Sequence, residues 1–153
     1  MIKLNLSYCG LKTETVWKLL QNNYGLLNLV SLILSYNFIT NNFFILCGGQ
    51  DISLEKLRSI DLSMNQIRCS DINSLENIEK FINNFQKLKK IKIQENFFMK
   101  DLFLLYESKK EQIEEIIERL NKKEFKFDVD TSNHVFHKEK LRDIINLKDK
   151  SII

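Results

Sequence analysis

The sequence predicts one α/β domain over residues 1–153, built from a repeated unit of strand, turn and helix. Three observations predict it. Short runs alternate apolar and polar residues, the period of a strand with one buried face. These runs recur at nearly constant spacing along the chain. The stretches between them carry apolar residues at helical intervals. Of 153 residues, 44% are hydrophobic and 28% charged, a globular balance in a chain long enough to bury a core without staples.

The first unit reads Leu4-Asn5-Leu6-Ser7-Tyr8-Cys9-Gly10-Leu11. The second reads Leu29-Val30-Ser31-Leu32-Ile33-Leu34-Ser35-Tyr36-Asn37-Phe38-Ile39. Leu57-Arg58-Ser59-Ile60-Asp61-Leu62-Ser63-Met64-Asn65-Gln66-Ile67 and Leu88-Lys89-Lys90-Ile91-Lys92-Ile93-Gln94-Glu95-Asn96-Phe97-Phe98 follow. Their anchors, Leu4, Leu32, Ile60 and Ile91, are 28, 28 and 31 residues apart. A worn fifth copy, Phe127-Asp128-Val129 with Asn133 and Val135, lies 36 residues beyond Ile91, its asparagine one residue out of register. Repeats are thus expected to start near residues 2, 29, 57, 88 and 124.

Helices are expected between the strands. Thr13 to Asn23 carries Val16, Leu19 and Leu20, with Trp17 beside that stripe, and Ser74 to Phe85 carries Ile78, Phe81, Ile82 and Phe85. Leu102 to Leu120 closes with Ile113, Ile116, Ile117 and Leu120, and Glu115→Arg119 and Glu118→Lys122 are spaced to pair on its wet side. Residues 99–123 read as a long charged insertion in the third step. Ser74, and Asp51 or Ser53, are the expected helix caps. A last amphipathic helix over about 138–149, through Leu141, Ile144, Ile145 and Leu147, is expected to cap the C-terminal end. No such cap precedes Ile2 or Lys3, so that edge is expected to be covered by further repeats or by another subunit.

The shared pattern L-x-x-L-x-L-x-x-N/C-x-L resembles the leucine-rich repeat family, and the 28-residue step is similar to its ribonuclease-inhibitor-like subclass. The resemblance covers essentially the whole chain, strongest from Leu4 to Phe98 and weaker afterwards, and implies a horseshoe segment of about five repeats. A parallel sheet would line the concave face and helices the convex one. It also implies a structural ladder at Cys9, Asn37, Asn65 and Asn96, whose side chains would bond the backbone in each turn after a strand. Asparagine suits that place because buried backbone groups there need both a donor and an acceptor. On this reading Cys9 is buried and inert.

Charge excludes little and composition more. With 23 basic and 20 acidic residues the net charge is +3, far from a nucleic-acid footprint. The most apolar stretch, Gly25 to Leu34, is half the ~20 residues needed to span a bilayer. Met1 to Asn5 lacks a signal peptide's apolar run. Three cysteines, Cys9, Cys47 and Cys69, do not form a disulfide framework. Together these features predict reduced thiols in an intracellular protein, cytoplasmic or nuclear. No catalytic set is visible. His134 and His137 fall short of a zinc site, Gly48-Gly49 lacks a phosphate-loop frame, and Asp128 and Asp130 alternate on one strand face without a nucleophile. No enzyme activity, metal or cofactor is implied.

The expected binding surface is the outward strand positions: Asn5, Ser7, Tyr8, Ile33, Ser35, Tyr36, Asp61, Ser63, Met64, Lys90, Lys92 and Gln94, with Ser31 and Ser59 beside them. Ile33, Tyr36 and Met64 would form an apolar centre of the kind that anchors interfaces. The expected function is a non-enzymatic protein–protein interaction module or structural subunit, working through the concave face or the N-terminal edge. An RNA-associated adaptor is the alternative, with Lys90 and Lys92 on phosphate and Tyr8 and Tyr36 on bases. The resemblance also allows a regulatory role, such as GTPase activator or ubiquitin-ligase receptor.

Overall fold

The computed structural model describes residues 2–21, 24–49, 52–123 and 125–128. It is an α/β fold with a parallel sheet. Strands β1 (Ile2–Asn5), β2 (Leu29–Ile33), β3 (Ser59–Asp61), β4 (Lys90–Lys92) and β5 (Lys126–Asp128) lie side by side in chain order. Every neighbouring pair is parallel: Leu4 faces Leu32, Leu32 faces Ile60, Ile60 faces Ile91, and Ile91 faces Phe127. Parallel neighbours need a crossover, and helices α1 (Thr13–Leu20), α2 (Asn42–Leu46), α3 (Ile72–Asn84) and α4 (Phe98–Asn121) supply it. Each helix packs against the next in chain order. Asp128 closes β5. Asp130, His134, His137 and the expected helix at 138–149 lie outside the described residues.

Period 2 explains the core. Leu32, Leu34, Ile60, Leu62, Ile91 and Ile93 are all buried and share one cluster with Val16, Phe43, Leu75, Ile78, Phe81, Ile113 and Ile116 from the helices. The opposite face holds the intervening residues. Phe43, Phe44, Phe81 and Phe85 form a chain of ring contacts 4.6–5.5 Å between centroids, joining α2 to α3. Gly48 fits here because a Cβ would sit 2.5 Å from the Phe44 carbonyl oxygen.

Several local expectations change. α3 is capped by Asp71 rather than Ser74: the Asp71 carboxylate accepts from the Ser74 backbone N–H at 2.8 Å and its hydroxyl at 2.9 Å. Those bonds hold the Asp71 carboxyl below its usual range. Ser53 lies outside any helix and Asp51 outside the described residues. Leu19 is exposed, since Val16 and Leu20 already occupy the buried side of the short α1; Trp17 is half-buried against the core. Most of the charged segment 99–123 is α4, whose Met99, Leu102, Tyr106, Ile113, Ile116, Ile117 and Leu120 are buried.

α4 bends at Lys109, where φ is −129° and ψ 32°. The Ser108 hydroxyl donates to the Leu105 carbonyl beside the bend, a local competitor for helical bonding. Tyr106 straps the two halves by donating to Glu114 at 2.7 Å. Burial, then that bond, pushes its hydroxyl up to about 12. Farther along, Lys122 pairs with Glu118 at 3.7 Å as the spacing predicts. Arg119 turns instead to Glu79 on α3, with nitrogen–oxygen contacts of 2.8 and 3.0 Å, because the neighbouring helix offers a two-point partner.

Candidate interaction face

The turn after each of the first four strands repeats one backbone conformation. Tyr8, Tyr36, Met64 and Glu95 have φ of 56°, 56°, 56° and 54°. Left-handed backbone costs an L-residue roughly 1–2 kcal/mol, so something must hold it. The residue that follows does so. Asn37 donates to the carbonyls of Leu34 and Ser35 in its own turn and of Leu6 in the turn before, at 2.9–3.2 Å, and accepts from the N–H groups of Cys9 and Leu11. Asn65 repeats the three donated bonds, to Leu34, Leu62 and Ser63, and accepts from the Ile39 N–H. Asn96 does the same with Leu62, Ile93, Gln94 and Ile67. Each amide therefore ties its own turn to the preceding one.

Cys9 departs from that pattern. Its thiol reaches only the Ser7 carbonyl, at 3.3 Å, and it is exposed rather than buried. β1 is the sheet edge among the described residues, so no described turn lies on its outer side for the thiol to bond. The other thiols, Cys47 and Cys69, are buried, and burial pushes both up to about 12. They are protonated at neutral pH and unreactive.

The turns deliver side chains to the rim of the sheet. Tyr8 is 71% exposed, Tyr36 43% and Met64 38%. The tyrosine rings stack, with centroids 4.1 Å apart and planes at 15°, a spacing close to the ~4.8 Å between strands. A hydrogen bond to Tyr36, which favours the protonated Tyr8 hydroxyl, is the main cause raising it above its ordinary value. These three residues form one row, set by one repeated dihedral.

Below this row the sheet face is polar and already internally bonded. Asn5 accepts from the Ser7 N–H and hydroxyl. Asp61 accepts from the Ser63 N–H and hydroxyl at 2.9 and 2.6 Å, and Lys92 approaches it at 3.8 Å. Ser59 donates to Ser31 at 3.2 Å, and Ser35 to Ser7 at 3.2 Å. Ser35 is buried, which removes it from the expected contact set. Ile33, Lys90, Lys92 and Gln94 are half-exposed. Lys90 shares a register row with Ser59 and Lys126, and Lys92 one with Asp61 and Asp128, so basic and acidic positions alternate.

A second row at the rim was not anticipated. Two residues past each left-handed position stand Gly10, Phe38, Gln66 and Phe97. Phe38 and Phe97 are 54% and 51% exposed. Beside Phe97, the Arg68 guanidinium lies 5.2 Å from the ring centroid and pairs with buried Asp101 through two contacts, at 2.9 and 3.0 Å. The Cys69 N–H also donates to Asp101. The Arg68 bond above all holds the Asp101 carboxyl below its usual range. The recurrence of positions 38, 66 and 97 was visible in the aligned repeats; the Arg68–Asp101 pair, 33 residues apart, follows no periodic signal.

Among the described residues no group of three or more His, Cys, Asp or Glu side chains is placed to hold a metal ion. Among them, too, no helix is long and apolar enough to cross a membrane. Compared with known proteins, the chain matches no family model and no curated protein.

Proposed function

We propose that the chain is a leucine-rich-repeat solenoid of about five repeats acting as a non-enzymatic protein–protein interaction module. The constant strand register and the repeated asparagine turn support the repeat assignment. The observation that carries the function is the exposed row Tyr8, Tyr36 and Met64 along the rim of the parallel sheet. Rigid aromatic rings offer large contact area at low entropy cost, and the flexible thioether of Met64 adapts to the surface it meets, the makings of a hot spot. Around it, Asn5, Ser7, Asp61 and Ser63 already bond one another and would form a polar surround that excludes water. Unpaired thiols at Cys9, Cys47 and Cys69 support a reducing compartment, cytoplasm or nucleus.

Phosphate capture by this face is the weaker reading, since Lys92 lies beside Asp61. The two tyrosines also spend one face each on the other. Affinity capture from native cells, comparing the wild type with Tyr36→Ala and Met64→Ala, tests the proposal. Each truncation is expected to cost about 2 kcal/mol of binding, near thirtyfold, and to leave the melting temperature almost unchanged because both side chains are exposed. Unaltered capture by both variants contradicts the proposal. So does retention of RNA that Lys90→Glu abolishes.

A further inference from the structure

Between α2, the turn after β3 and the start of α4 lies an open depression of about 600 Å³, within the ~300–1,000 Å³ typical of ligand sites. Phe97 and the Arg68 guanidinium stacked on it form one wall. Some of the polar lining is committed elsewhere. Asn65 serves its own turn and the one before it. Asn41 is bonded at both ends of its amide to the Arg68 backbone, and Thr40 to Thr13. Asn42, Gln66 and Ser70 also line the depression, and their side chains make no hydrogen bond among the described residues. Their two amides and a hydroxyl can each donate and accept.

The electrostatics select the ligand. Asp101 takes Arg68 through both Nε and Nη2, so the wall offers a flat apolar and cationic–aromatic surface with no net charge. An anion gains little there. A peptide group pairs well with a primary amide, because both present a donor and an acceptor. We infer that this depression binds a short, extended, uncharged peptide segment of the partner, with one aromatic or long aliphatic side chain against Phe97 and its backbone on Gln66 and Asn42. The inference rests on the reading of the chain as a protein-binding module and adds a second anchor beyond the tyrosine row.

The test is an NMR titration of the full isotope-labelled chain with a blocked pentapeptide, N-acetyl-Ser-Gly-Phe-Gly-Ser-amide. An analogue with Asp in place of Phe, and inorganic phosphate, are titrated in parallel. The aromatic probe is expected to shift the side-chain amide signals of Gln66 and Asn42 and the Phe97 ring signals, saturably. Phe97→Ala and Gln66→Ala, both at exposed positions, are each expected to weaken it at least tenfold. Tyr36→Ala is expected to leave it within twofold, so a failure of the tyrosine row and a failure of this depression read out separately. The inference is overturned by tighter binding of phosphate or of the Asp analogue, by shifts confined to Tyr8 and Tyr36, or by no saturable shift.

Discussion

Asn65→Ala is expected to lower the unfolding free energy by about 3–5 kcal/mol, the upper range for a single substitution. The amide of Asn65 satisfies three carbonyls, of Leu34, Leu62 and Ser63, and accepts from the Ile39 N–H, in a buried turn. Alanine orphans the Ile39 N–H and takes one of two donors from each carbonyl, since Leu34 keeps Asn37, Leu62 keeps Asn96 and Ser63 keeps the Tyr36 N–H. The buried unpaired N–H costs roughly 1–3 kcal/mol and each lost bond about 0.5–1.5 kcal/mol. It also removes the clamp on the left-handed backbone at Met64. Cys9→Ala is the matched control: it occupies the equivalent place but its side chain bonds only within its own turn, and a loss under about 0.5 kcal/mol is expected. Urea unfolding of both variants, with unchanged slopes, measures the difference. Equal stabilities for the two would remove the asparagine ladder from the explanation of the fold.

Phe81→Ala is expected to be comparably severe, about 3–5 kcal/mol, through transfer and cavity terms. Phe81 is buried and touches the rings of Phe43, Phe44 and Phe85, so its loss opens a void where α2 meets α3. Phe38→Ala makes the contrast, since that ring is mostly exposed and little packing is lost. Thermal unfolding followed by circular dichroism separates them. A drop of more than ten degrees is expected for Phe81→Ala, and a drop no larger than that of Phe38→Ala would contradict this view of the core.

Much of this arrangement was legible in the sequence, for a physical reason. A strand with one buried face must alternate, so Leu32, Leu34, Ile60 and Leu62 announce both the strands and the side they bury. Turn chemistry was equally readable at Asn37, Asn65 and Asn96, because few residues bond a carbonyl and an N–H together. What escaped depends on neighbours in space. Cys9 shares the ladder position, yet its exposure follows from its place at the sheet edge. Arg119 had Glu115 at helical spacing and took Glu79, which only the packing of α3 on α4 brings near. Ser35 follows the outward alternation and is nonetheless buried beside Ser7.

The candidate site divides the same way. Tyr8 and Tyr36 were recognisable by their common repeat position, but as stacking platforms for a ligand rather than for each other. Their left-handed backbone carried no sequence signal, since tyrosine and methionine are poor choices for it. The Phe97–Arg68–Asp101 cluster needed three separate elements to be placed before it existed.

The central claim is that successive units stack in parallel, one strand spacing apart, so that equivalent residues form rows. Cross-strand nuclear Overhauser contacts test it most directly. Contacts between the Tyr8 and Tyr36 rings are expected, together with parallel-sheet contacts linking Leu4, Leu32, Ile60 and Ile91, and slow amide exchange at Leu34 and Leu62. Close Hα–Hα pairs of antiparallel hairpins, or Leu34 and Leu62 exchanging as freely as exposed residues, would contradict it.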